Sequence, residues 1–339
     1  MAKKPTQIPF SQVIQALLDE DKPFQPRFLY RLSDLSPSDL DALANTWVSV
    51  SQHRRQAIME DILDLTESDY LLNFSSLSQL ALKDLDPIVR MLAIQSLEEY
   101  EEPVLADLFM EMMVQDADVQ VRAASAAALG EYVYLGEIEE ISAKILHNIE
   151  DHLLKVAQGQ DAALVRRRAL ESLGFSSREE ITPLIEAAYH SEDREWLISA
   201  LFAMGRSYNQ IWGEDVIAML EDHRTAVRAE AAEAAGELSL KTASPKLLEL
   251  LDDEDDDVRA AAIWSLSEIG GEGVREALEE LLDETEDEEE AGLLEDALDN
   301  LEFVEGMEGF SLMDLSEDEA LDEDDLFDEE LEDSTDEQR

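Results

Sequence analysis

Asp118-Val119-Gln120-Val121-Arg122-Ala123-Ala124-Ser125-Ala126-Ala127-Ala128-Leu129-Gly130 decides the fold, because its pattern returns along the chain. Val121, Ser125 and Leu129 stand four residues apart, which keeps them on one side of a helix. The same stripe recurs as Val89/Ala93/Leu97, Val165/Ala169/Leu173, Trp196/Ala200/Met204, Val227/Ala231/Ala235 and Val258/Ala262/Leu266. In chain order the six starts are separated by 32, 44, 31, 31 and 31 residues. A period of that length marks a repeat architecture.

Polar residues recur with the stripe. Three positions before it stand Asp86, Asp118, Asp193 and Asp255, with Ala162 and Arg224 in the other two copies. Aspartate there suits a helix N-cap, and Pro87 suits a first helical position, where its missing amide costs nothing. Directly after the stripe start come Arg90, Arg122, Arg166, Arg228 and Arg259, with Leu197 the exception. Gly130, Gly174, Gly205, Gly236 and Gly270 fall near the stripe ends, where a left-handed glycine is expected to stop each helix. Apolar segments at Pro103–Gln115, Glu180–Tyr189, Gln210–Glu221 and Pro245–Leu251 predict another helix between successive stripes, so each repeat has two. A pair of helices cannot bury both its faces alone, and stacking the pairs solves this. Runs such as Ala123–Ala128 and Ala260–Ala262 allow the helices to approach closely.

Asp-x-x-Val-Arg-x-x-Ala-x-x-x-Leu-Gly at this period resembles the HEAT-like repeat of the phycobilisome-lyase type, over Ser75–Leu301. The resemblance implies an all-α fold, a right-handed α-solenoid (superhelix) of about 7 two-helix repeats. It also implies that the repeated arginine bridges neighbouring repeats through the capping aspartate, and that the second helices line the concave side. It implies little about activity, since the family ranges over scaffolds, adaptors, chromophore lyases and a hydroxylase group.

The array has edges. One period beyond Val258 stands Glu289, with Leu293 and Ala297 after it, as suits a terminal cap with a solvated face. Upstream, Ile58/Ile62 extends the array by one imperfect unit, and Phe10–Asp19, Phe28–Leu32 and a segment opened by Ser36-Pro37-Ser38-Asp39 read as further helices. The 44-residue interval holds an insertion near Lys144–Gln160, read as an extended first helix or a bulging loop. The expected organisation is an N-terminal helical region at 1–70, the repeat array at 71–301 and an acidic tail at 302–339.

The charge is extreme. Of 339 residues, 82 are acidic and 25 basic, a formal net charge of −57, yet 45% are apolar. That apolar share can build a core. The charge opposes binding to a nucleic-acid duplex. The absence of cysteine removes disulfides, thiolate metal sites and thiol nucleophiles. No apolar run is long enough to span a bilayer, and Met1-Ala-Lys-Lys-Pro-Thr leads into an amphipathic stretch rather than a secretion signal, so the chain reads as cytoplasmic. From Asp283 to Arg339, 28 acids accompany one base. Acids this dense repel one another, and Glu305–Arg339 is expected to be largely disordered, with isolated Phe310, Leu312, Met313, Leu315, Leu326 and Phe327 as contact residues.

No motif supplies catalysis. Hydroxylases built on HEAT-like repeats bind iron through His-Glu dipeptides, but His53, His147, His152, His190 and His223 are followed by Arg54, Asn148, Leu153, Ser191 and Arg224. Asp253–Asp257 resembles a calcium loop until Val258 stands where glycine is needed and Trp264 where glutamate is needed. Gly270-Gly271-Glu272-Gly273 lacks the lysine and the strand of a phosphate loop. The basic triplet Arg166-Arg167-Arg168 and Trp264, which lies off the stripe, are candidate partner contacts, whereas Trp196 is expected in the core. The reading is a non-enzymatic scaffold or adaptor without a cofactor, binding a protein with a basic surface, and neither nucleic acid nor membrane. Alternatives are a chromophore lyase or detaching factor, a hydroxylase lacking its His-Glu motifs, and a tail that folds back on Arg166–Arg168.

Overall fold

Asp118 accepts hydrogen bonds from the Gln120 and Val121 amides and opens a helix that runs from Val119 to Glu137. Asp86 and Asp193 cap their helices in the same way. Ser36 accepts from the Asp39 amide, with Pro37 first in the helix. These caps satisfy amides that otherwise have no intrahelical partner. Asp255 departs from the expectation: it precedes its helix but its side chain makes no cap hydrogen bond. The computed structural model describes residues 8–317 other than 70, 99 and 101.

Eighteen α-helices and no strand are found among the described residues. They fall into two units, Met1–Leu238 and Ser239–Arg339. The first holds α1 (Phe10–Leu18), α2 (Pro26–Leu29), α3 (Pro37–Trp47), α4 (Gln52–Ser68), α5 (Ser75–Ala81), α6 (Pro87–Gln95) and α7 (Pro103–Gln115). It continues with α8 (Val119–Glu137), α9 (Ala143–Ala157), α10 (Ala163–Ser172), α11 (Ile181–Tyr189), α12 (Arg194–Arg206), α13 (Gly213–Met219) and α14 (Thr225–Glu237). The second unit holds α15 (Ser244–Leu250), α16 (Asp256–Ile269), α17 (Val274–Glu284) and α18 (Glu288–Glu317). Consecutive helices from α5 onward pair as the repeat predicts, and within the first unit each second helix packs on the next: α6 on α8, α8 on α10, α10 on α12, α12 on α14. In the second unit α16 packs on α18. The architecture is an all-α array of HEAT-like repeats.

The stripe is the core. Val89, Ala93, Leu97, Val121, Ser125, Leu129, Val165, Ala169, Leu173, Val227, Ala231 and Ala235 are wholly buried in the first unit, as are Val258, Ala262 and Leu266 in the second. Each large member contributes about 1.5–3 kcal/mol of burial. Trp196 is a correction to the expected core. It is only half-buried, and Leu197, Ala200, Leu201 and Met204 form the buried side of α12 instead. The long interval between Val121 and Val165 comes from both helices around it, since α8 runs 19 residues and α9 runs 15. At the end of the array Leu294, Ala297 and Leu301 supply the buried stripe of α18, one residue on from the predicted Leu293.

The glycines need a different explanation from the predicted one. Gly130, Gly205 and Gly236 lie inside helices, and Gly174 sits in a 3₁₀ turn. Of the five, only Gly270 ends its helix with positive φ, at 65°. Gly130, Gly174 and Gly205 mark close approach: a Cβ on Gly174 would lie 2.8 Å from the Ala203 carbonyl oxygen and 2.9 Å from its Cα. A Cβ on Gly205 would lie 3.1 Å from the Ala234 Cα. Without side chains at these points, α12 can contact both the end of α10 and α14.

The helix α18 continues through the expected boundary at 302 to Glu317. The backbone at Phe310, Leu312, Met313 and Leu315 is helical, but their side chains lie outside the described residues, as do Leu326, Phe327 and the rest of 318–339.

Candidate functional site

Two charged regions are built on the repeats. In the first, the repeated arginine ties one repeat to the next. Arg90 on α6 donates Nε and Nη2 to the two carboxylate oxygens of Asp116, at 2.8 and 2.7 Å. Arg122 on α8 does the same to Asp161, at 3.0 and 2.7 Å. In the second unit Arg259 donates Nε to Glu290 of α18 at 3.0 Å. Such forked pairs combine strength with fixed geometry. The arginines also donate Nη1 to the carbonyl six residues earlier: Arg90 to Asp84, Arg122 to Asp116, Arg228 to Asp222 and Arg259 to Asp253, at 2.8–3.1 Å.

The bridge therefore exists, but its acceptor is not the capping aspartate. It is a different acid, Asp116 or Asp161, in the turn between the two helices of the next repeat. Asp84, Asp116, Asp222 and Asp253 each accept from the amide two residues on, which shapes the turn into the second helix. This column lies five residues before four of the six stripe starts and was legible in the sequence, though it escaped the reading. Arg55 was missed too. Its guanidinium lies 2.8 Å from the Asp84 carboxylate, which also accepts from Trp47 Nε1 at 2.7 Å. Aligning Arg55 with the other arginines makes Arg54/Ile58/Ile62 the stripe of α4. Hydrogen bonding from Arg122 holds the Asp161 carboxyl below its ordinary pKa.

The second region is the face that α8, α10, α12 and α14 share. Aromatic rings form a ladder on it: Tyr134 and Phe175 lie 5.3 Å apart, Phe175 and Tyr208 6.5 Å. The Arg206 guanidinium stacks 4.2 Å from the Phe202 ring centre and 4.8 Å from that of Phe175. Burial lowers the Arg206 pKa, while the carboxylates of Glu237, Glu171, Glu131 and Glu98 act in the opposite direction. Glu171 is buried and accepts from Ser199 Oγ and Arg168 Nη1, both at 2.6 Å. Burial, reinforced by the charges of Glu233, Glu171 and Glu237, pushes the Glu230 carboxyl up to about 8, with Arg168 opposing. Tyr208 follows α12 with φ of 49° and an exposed ring, at 63%.

The predicted contact residues are placed unequally. Arg166 donates Nε to the Ala157 carbonyl and stacks 5.2 Å from the Trp196 ring, beside an apolar groove of about 260 Å³ lined by Leu170, Leu184 and Ala187. Arg167 contacts the Glu195 carbonyl and Ser199 Oγ, both at 3.3 Å. All three members of the triplet are thus held by contacts within the first unit. Trp264, on α16 of the second unit, is exposed at 43%, as expected of a surface residue. His147 and His152 each bond through Nδ1 to the carbonyl four residues back in α9. Among the described residues no three His, Asp or Glu side chains are grouped to hold a metal ion.

Stacked helix pairs with a repeated aspartate, a repeated arginine and glycine at the helix contacts define a HEAT-like repeat protein. The HEAT repeats family matches the chain over residues 213–299. No curated protein matches it in sequence. Among solved structures, it is similar to the Escherichia coli protein YibA (19% identity, 75% of this chain and 97% of that one, TM-score 0.41). The complex of CpcE and CpcF of phycocyanin lyase from Nostoc sp. PCC7120 is similar at 19% identity, over 67% and 94% of the chains, with a TM-score of 0.46. Human deoxyhypusine hydroxylase is similar at 19% identity, over 87% and 96%, with a TM-score of 0.37. Among the described residues no helix is long and apolar enough to cross a membrane.

Proposed function

We propose that this chain is a non-enzymatic protein-binding module, a scaffold or adaptor whose acidic surface takes a protein partner through basic residues. The carrying observation is the uneven use of charge. Arg55, Arg90, Arg122 and Arg259 of the repeat column are engaged by acids of the same unit, so they do not offset the excess elsewhere. On the shared face of α8, α10, α12 and α14, the charges of Glu131, Glu171 and Glu237 act on Arg206, and those of Glu233, Glu171 and Glu237 on Glu230. A field of one sign speeds encounter with an opposite charge and selects against like-charged competitors. The test is capture of partners by the full-length protein at about 50 and about 500 mM salt, where screening shortens the reach of exposed charges. Equal capture at both would sink the electrostatic reading. We assign segment 302–339 as a second acidic–apolar docking segment, and deletion of residues 305–339 is expected to change which partners are retained.

A further inference from the structure

We propose that a groove on the first unit binds a small apolar carboxylate, whose acid group takes the place on Arg166 that an aspartate holds on Arg90 and Arg122. The arginine column has a gap at this point. Asp84, Asp116, Asp222 and Asp253 stand five residues before their stripe starts, and Ser191 stands in that position before Trp196. Asp84 pairs with Arg55 and Asp116 with Arg90. Ser191 keeps half of the aspartate's role, since its Oγ accepts from the Asp193 amide, two residues on, at 3.1 Å. It has no carboxylate to offer Arg166.

Arg166 has left the geometry of the column. Arg90, Arg122, Arg228 and Arg259 donate Nη1 to the carbonyl six residues earlier. Arg166 instead donates Nε to the Ala157 carbonyl at 3.1 Å and lies 5.2 Å from the centre of the Trp196 ring. Among the described residues its two Nη nitrogens have no acceptor, and no carboxylate pairs with it. Arg166, Ser191 and Trp196 line a groove of about 260 Å³ whose walls include Leu170, Leu184 and Ala187. An apolar volume with a few polar groups at its edge is the pattern of a small-ligand site. The planar fork of a guanidinium matches a carboxylate, which accepts two parallel hydrogen bonds from it. The apolar walls take the body of the ligand, and the volume limits that body to about the size of octanoate.

Isothermal titration of the full-length protein with octanoate and with octanol, at about 150 mM salt to screen the acidic chain's repulsion of an anion, tests this. Octanoate is expected to bind with a Kd of about 0.1–1 mM, and octanol about tenfold more weakly. Arg166→Gln should bring octanoate down to the level of octanol. Ser191→Asp should do the same by restoring an internal acid, with Tm at or above that of the wild type, so lost binding would not reflect lost folding. Arg194→Gln, at an exposed arginine paired with Glu195, should leave octanoate binding unchanged. The inference is overturned if octanoate binds no more tightly than octanol, or if Arg166→Gln or Ser191→Asp binds octanoate as tightly as wild type. An equal loss in Arg194→Gln would also overturn it, because charge anywhere on the unit would then suffice. None of these outcomes bears on the basic-partner reading, which concerns other residues.

Discussion

The arginine column and the face shared by α8, α10, α12 and α14 are built on the same helices and handle charge in opposite ways. In the column Arg90 meets Asp116 and Arg122 meets Asp161 in forked geometry. The pairing repeats with the fold and fixes one repeat against the next. On the shared face the acids converge instead. Glu230 lies near Glu233, Glu171 and Glu237, whose charges act against its own, and Arg168 acts the other way. Like charges gathered on a half-buried surface raise the free energy of the isolated protein, and folding alone gives no reason to collect them. The regular column explains stability. The irregular face is where binding is to be sought.

That contrast predicts opposite signs for removing a carboxylate. Asp84→Ala should have the largest effect, about 3–5 kcal/mol of destabilisation by urea denaturation. It leaves the buried Arg55 guanidinium without its acid and Trp47 Nε1 without an acceptor. A loss below about 1 kcal/mol would mean that the column does not hold the repeats together. Next comes Gly174→Ala, expected to cost about 1–3 kcal/mol, since the new Cβ would press on the Ala203 backbone from 2.8 Å. Gly273→Ala is the matching test of conformation rather than contact. Nothing lies within 4 Å of that Cβ, but φ is 81°, so any cost there is backbone strain alone. If Gly174→Ala were neutral in thermal melts, close approach would not be why the repeat keeps glycine there.

Much of this was legible because the repeat prints its structure several times over. Val121, Ser125 and Leu129 could be placed in the core from spacing alone, and Asp86, Asp118 and Asp193 as caps from their offset. Trp196 misled because a tryptophan at a stripe start reads as apolar, whereas in space it lies against Arg166. Gly174 misled because close contact and a left-handed turn favour the same residue near a helix end. The shared face was illegible for a deeper reason. Tyr134, Phe175 and Tyr208 follow no column, and only the stacking of α8, α10 and α12 makes them neighbours.

The smallest effect gives the sharpest contrast. Glu230→Gln keeps the shape of the side chain and removes its charge, and it should stabilise the protein rather than weaken it. The Glu230 carboxyl sits at about 8 in the fold against an ordinary 4.5, so folding favours its protonated form. Its contribution is therefore fully present below pH 4.5 and is lost as pH rises through about 8. The charges of Glu233, Glu171 and Glu237 oppose a charge on Glu230, while Arg168 favours one. Wild type and variant should melt together near pH 5 and separate as pH rises. By pH 9 the variant should be more stable, by on the order of 1–2 kcal/mol after allowance for the partial exposure of the side chain. Thermal melts of both proteins at the two pH values measure the difference directly, and charges common to both cancel from it. A variant less stable than wild type at pH 9 would place Glu230 with the aspartates of the column, as a carboxylate the fold needs. A gain at pH 9 that vanishes at pH 5 would mean that the face carries a charge folding works against, and that a cationic partner would relieve.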